Sequence, residues 1–281
     1  MFKEGRVIEM KEKAEKKGKK KKKKVEVIEK DYNGATNYNV YHMSKGEVIL
    51  YTGLAGVLLF GLGYVFYQNI VVSLVFSLLA LKYPKIKEKD LIQKRKKQLT
   101  LQFKDMLYSL SSAVSSGNSV EHALEIARDD MINQYGEHKI FIVDELELMV
   151  SKVSINQNIE DVLVNFAERS GIEDVKTFAD IFEVAKRTGG NLVQIIRQST
   201  DVIADKIEIE TEMDTMLSGK KMEQKVVTVM PILLTFFMTV TTDGFMTPLF
   251  TTLAGRLTST VALVLILAGA FWAQSITNIE I

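Results

Sequence analysis

The sequence predicts an all-α membrane protein, with four transmembrane helices in two hairpin-like pairs flanking a cytoplasmic helical bundle. Residues 48–81 contain no charged side chain, and residues 226–281 contain only Asp243, Arg256 and Glu280. Between these blocks, residues 98–225 hold 23 acids and 13 bases, a net of −10. No alternating strand pattern competes in that middle segment, and proline is absent from residues 85–230. The average figures, net charge +1 and 47% hydrophobic, conceal this segregation. Two greasy blocks around a charged middle are not one ordinary water-soluble domain.

Residues 1–46 read as a Lys-rich, disordered cytoplasmic tail. Residues 1–47 carry fourteen Lys/Arg against eight Asp/Glu, with an unbroken lysine run at 19–24. Such a run suits a solvated tail that reinforces topology, and secondarily contact with anionic lipid. Nucleic-acid binding lacks support, because no aromatic residues interleave and the folded domain is acidic.

Two transmembrane helices are placed in residues 47–83. A bilayer core of roughly 30 Å needs about 20 apolar helical residues. Residues 48–67 meet this and include Gly53, Gly56, Gly61 and Gly63, small residues that permit close helix packing. Gln68-Asn69 is the turn signal, and the apolar run from Ile70 to Leu81 makes a short second span counted over 68–83. A single crossing does not use 34 charge-free residues, so a tight hairpin is expected. Residues 84–97 form a basic linker.

Residues 98–224 read as the cytoplasmic bundle. Phe103, Met106, Leu107, Leu110, Ala113 and Val114 form one apolar stripe, and Gly117 ends that helix. Asn118 or Ser119 caps the next helix, with Val120, Ala123, Leu124 and Ala127 inward. Val143, Leu146, Val150 and Val153 make a third stripe. Asn158 caps a fourth helix with Ile159, Val162, Leu163 and Phe166 inward, stopped at Ser170-Gly171. Val175, Phe178, Phe182 and Ala185 define a fifth. Gly189-Gly190 then breaks the chain, and Asn191 caps a sixth helix that turns Leu192, Ile195, Ile196 and Ile203 inward.

Residues 225–281 hold the last two transmembrane helices, over 226–242 and 257–273. Pro231 lies in the first turns of one, where a membrane helix tolerates it, and Trp272 is an interface anchor of the other. Basic residues set the orientation. Lys45, Lys82, Lys85, Lys87, Lys89, Lys220, Lys221 and Lys225 border the span ends on one side, whereas the two short loops contain only Arg256. Both termini and the central domain are therefore expected in the cytoplasm.

A search for chemistry returns no candidate catalytic, cofactor-binding or metal-binding residue. The chain has no cysteine. Gly219-Lys220-Lys221 lacks the upstream glycine and the Ser/Thr of a phosphate-binding loop. His42, His122 and His138 have no metal-ligand spacing. The spans contain no ionisable residue, which argues against the competing class, a transporter or permease subunit.

The order of parts, together with several short stretches, resembles the type II secretion system F family. The stretches are Ser116-Gly117-Asn118-Ser119 followed by Ala123-Leu124, Leu163 with Phe166-Ala167-Glu168-Arg169, Ala185 through Gly189-Gly190-Asn191-Leu192, and Met230-Pro231. Within that family the cadence is most similar to the TadB-like branch of Tad pilus systems, whose TadC-like sisters share the domain. Ser154 departs from a glycine common in the family before the fourth helix. The resemblance implies a non-catalytic cytoplasmic-membrane platform that couples a secretion ATPase to pilin assembly. It further implies a sister F-domain protein, pilin and membrane lipids as partners, and an oligomeric assembly.

Overall fold

In the computed structural model, which describes residues 35–136, 140–188, 191–242 and 244–277, every regular element is a helix. The order is α1 (Lys45–Tyr67), α2 (Ile70–Leu78), a 3₁₀ turn (Leu79–Lys82), α3 (Tyr83–Ser115), α4 (Val120–Tyr135), α5 (Phe141–Ser154) and α6 (Ile159–Ser170). Then follow α7 (Glu173–Thr188), α8 (Leu192–Thr241), α9 (Thr247–Thr251) and α10 (Leu253–Thr277). The chain divides into two compact units. One joins residues 35–44 to Glu88–Ile207, and the other joins Lys45–Lys87 to Glu208–Ile281.

The first unit is a bundle around an aromatic centre. Phe103 of α3 lies 6.2 Å from Phe166 of α6 and 6.0 Å from Phe178 of α7, and Phe182 continues the stack at 6.3 Å from Phe178. Each such ring, fully buried, contributes about 1.5–3 kcal/mol of transfer free energy. The stripe from Phe103 to Val114 is wholly buried. It ends where Gly117 adopts φ +90°, a conformation that costs a side-chain-bearing residue. Asn118 N–H then bonds the Ala113 carbonyl, and Ser119 Oγ accepts from His122 N–H at 3.3 Å to start α4. Asn158 occupies the N-cap position of α6 without a side-chain cap bond, and its amide meets Asp161 instead.

Two expectations shift in this unit. On α5 the buried residues are Ile142, Glu145, Leu146 and Met149, whereas Val143, Val150 and Val153 pack at the margin of the core. The buried face has a carboxylate at its centre, so an apolar count finds the stripe rotated. The second shift concerns residues 35–44, read as tail. Ala35 and Tyr38 are buried, and Tyr38 belongs to the core cluster. Residues 1–34, including the lysine run, lie outside the described residues.

In the second unit α1 and α2 form a helical hairpin. Gln68 takes φ +44°, and Asn69 Oδ1 accepts from the N–H groups of Val71 (2.9 Å) and Val72 (3.4 Å). A Cβ on Gly63 would stand 2.9 Å from Ser73 Cα, and one on Gly56 would stand 3.2 Å from Ser77 Oγ. Gly53 and Gly61 face open space, so only two of the four glycines set the approach. Among the described residues three helical segments are long and apolar enough to cross a membrane: Lys45–Tyr67, Leu192–Thr241 and Leu253–Ala273. The segment expected as the second span is split into nine-residue α2 and the 3₁₀ turn. At about 1.5 Å per residue, α2 alone is shorter than the bilayer core.

Candidate functional site

The Arg169 side chain donates four hydrogen bonds within the bundle. Its Nη1 donates to Glu145 Oε1 at 2.8 Å and its Nη2 to Glu145 Oε2 at 2.6 Å, a two-pronged pairing between α6 and α5. Both side chains are almost wholly buried, at 5% and 2% exposure. Nε donates to Asn165 Oδ1 at 2.9 Å, and Nη1 also reaches the Thr36 carbonyl at 2.9 Å. Tyr38 closes the cluster: its hydroxyl donates to Glu145 Oε1 at 3.0 Å and its N–H to the Arg169 carbonyl at 2.9 Å. Burial, then the neighbouring Glu145 carboxylate, pushes the Tyr38 phenol well above its ordinary value.

Around this node the 35–44 segment is pinned to three elements. Asn39 Nδ2 donates to the Glu168 and Arg169 carbonyls, each at 3.2 Å. Lys96 Nζ donates to Asn39 Oδ1 at 2.6 Å and to the Gly171 carbonyl at 3.0 Å, and partial burial lowers its pKa. Arg95 lies 5.5–5.7 Å from the rings of Tyr38, Tyr41 and Phe141. Every polar group of the node has a structural partner, so its chemistry is that of a fastening.

Ala185 and Thr188, from the stretch singled out in the sequence, lie at one end of an open, mostly apolar groove. Ala185 is buried and lines that groove, as does Thr188, whose Oγ1 caps back onto the Val184 carbonyl at 3.0 Å. Lys186 pairs with Glu160 at 2.5 Å, and that hydrogen bond holds the Glu160 carboxyl below the usual carboxylate range. Asn191 Oδ1 accepts from Gln194 N–H at 3.2 Å, capping α8, and Leu192 packs half-buried against the core. Gly189 and Gly190 lie outside the described residues. The groove, about 620 Å³, runs between α7 and the start of α8.

The other residues singled out from sequence are dispersed. Gly117 terminates α3, and Ala123 with Leu124 is buried on α4. Pro231 sits inside the continuous helix α8, in the other unit, with Thr235 Oγ1 bonded to its carbonyl at 2.8 Å. His122 bonds Glu125 at 3.0 Å, and no group of His and acids among the described residues could hold a metal ion. Sequence reasoning singled out Arg169 without a role and missed Glu145 and Tyr38. The one available signal was an acid, Glu145, at helical spacing from Ile142 and Met149 within an otherwise apolar face.

The family model for type II secretion system (T2SS) protein F matches residues 100–240, half of the chain. That match covers α4–α7 entirely and nearly all of α8. The chain belongs to the type II secretion system protein F family. No curated protein and no solved structure matches it. Members of this family are generally non-catalytic membrane platform proteins of type II secretion and type IV pilus-like systems. The apolar helices of spanning length agree with an inner-membrane F protein.

Proposed function

We propose that this F-family chain is the TadB-like platform of a Tad-type pilus, coupling a cytoplasmic secretion ATPase to pilin assembly beside a TadC-like sister. The observation that supports it most is the extent of the family match, which takes in both an acidic helical bundle and the helix of spanning composition that leaves it. A bundle with a net of −10 over residues 98–225 offers a motor a charged docking surface. Deleting the gene should abolish surface pili while the ATPase, assayed alone, keeps its hydrolysis. Normal piliation would end the proposal.

In this reading four segments enter the bilayer, the second being α2 with the turn that follows it. Its shortness is offset by Lys82 and Lys85, whose stems reach along the apolar surface to the interface. Both termini and the bundle then face the cytoplasm, as the lysines at the span ends require. The domain limits remain those drawn from sequence, with residues 35–44 added to the bundle.

A further inference from the structure

A second cleft lies in the membrane unit, between α8 and α10. Val227, Thr228 and Pro231 line it from α8, and Leu265, Gly269 and Ala273 from α10. Its volume is about 520 Å³, inside the roughly 300–1,000 Å³ range of small-ligand sites. Small residues hollow the α10 wall: a Cβ on Gly269 would meet no atom within 4 Å. The Gln224 side-chain amide bridges the two helices, donating to the Ala270 carbonyl at 3.4 Å.

The cleft is polar at one end only. Lys220 and Glu223 form its mouth, and beyond Gln224 the lining is apolar except for Thr228. Lys220 pairs with Glu223 at 3.2 Å, but the two side chains are 72% and 66% exposed. An ion pair so exposed is weak and yields readily to another anion. Lys221 and Lys225 adjoin, so residues 220–225 hold three lysines against one acid. Thr228 breaks a pattern. Thr235, Thr239 and Thr241 each bond the carbonyl four residues back, whereas the Thr228 hydroxyl has no partner among the described residues. Trp272, 76% exposed, stands beside Ala273 at the polar end, and indoles collect at the membrane–water interface.

We propose that this cleft is the site of one anionic phospholipid of the cytoplasmic leaflet. The phosphate sits at Lys220, in the positive potential of Lys221 and Lys225. Thr228, two turns further in, offers its hydroxyl to the ester carbonyls below the phosphate, and an acyl chain lies against Pro231 and Leu265. A third helix does not fit inside. Residues 220–231 span about 17 Å, and a helix of that length and about 10 Å across takes up about 1,300 Å³. The proposal rests on both helices lying in the bilayer, as in the membrane-platform reading.

The test is native mass spectrometry of the delipidated full chain in detergent, titrated with phosphatidylglycerol, phosphatidylcholine or glycerol 3-phosphate. One phosphatidylglycerol should be retained severalfold better than phosphatidylcholine, and glycerol 3-phosphate, which has the head but no chains, should not be retained. Gly269→Leu should abolish the retention. Gly61→Leu, at a glycine that also faces open space but lies outside the cleft, should not. Lys220→Gln should bring phosphatidylglycerol down toward phosphatidylcholine, and Thr228→Val should weaken both, with the lipid-free melting temperature unchanged. Equal retention of the two lipids, indifference to Gly269→Leu and Lys220→Gln, capture of glycerol 3-phosphate, or a second polypeptide held in place of lipid would overturn the proposal. The readout involves neither motor nor pilin, so failed piliation would leave it standing. A chain that stays dispersed without detergent would end the membrane reading and this site together, whereas equal retention by a detergent-requiring chain would end this site alone.

Discussion

Glu145 on α5 and Arg169 on α6, 24 residues apart, pair through two hydrogen bonds of 2.8 and 2.6 Å inside the bundle. A buried pair of this kind repays its desolvation only while both partners are present. Arg169→Ala leaves a carboxylate stranded beside Tyr38, and Glu145→Ala strands a guanidinium. Each should cost about 3–5 kcal/mol in denaturant unfolding of the detergent-solubilised chain. The double replacement Glu145→Met with Arg169→Met should cost much less than the sum of the two alanine variants, because no charge is left unpaired. Additive losses would show that the two side chains are not coupled.

Tyr38 supplies the pH dependence. Its folded phenol titrates above the unfolded value of about 10, because burial and Glu145 both oppose the phenolate. Tyr135 is raised in the same way, by burial and then by its bond to Asp105. The sign follows from proton counting: above about pH 10 the unfolded chain releases protons that the folded chain keeps. Stability from these groups is complete below that pH and is lost as pH climbs beyond it. Melting temperatures taken from pH 8 to 11 should fall at the alkaline end, and Tyr38→Phe should flatten the fall while lowering the unfolding free energy at neutral pH by about 1 kcal/mol. An alkaline limb identical in the two proteins would remove Tyr38 from the account.

Gly63 tests the hairpin. A side chain there meets the Ser73 backbone at 2.9 Å, whereas Gly61, two residues earlier, faces open space. Gly63→Leu should force α1 and α2 apart and lower the melting temperature, with a cost of about 1–3 kcal/mol for the overpacked contact. Gly61→Leu should be nearly neutral. Equal effects at the two positions would argue that the pair does not pack as described.

What was legible in the sequence was local. Gly117 and Ser119 mark the α3–α4 junction by backbone need and capping, and both act within three residues of themselves. The stripes of α3 and α7 are mostly apolar, with Gln102, Ser111 and Asp174 buried among them, so spacing alone found the apolar part of each. The role of Glu145 was not legible because its neutralising partner is on another helix, nor that of Tyr38 because its own partner Glu145 lies 107 residues away. Pro84 sits in the first turn of α3, where a missing N–H costs nothing. The helix therefore starts directly after the 3₁₀ turn, with no loop between the short apolar run and the bundle's first helix.

The side of the membrane on which the bundle lies decides the rest, because a motor fuelled by ATP reaches only one face. Single cysteines at Glu125 on α4 and at Gln68 in the hairpin turn can be probed with a membrane-impermeant maleimide in intact spheroplasts. The account predicts that Gln68→Cys labels at once and Glu125→Cys only after permeabilisation. Labelling of Glu125→Cys in unbroken spheroplasts would put the bundle outside and contradict it.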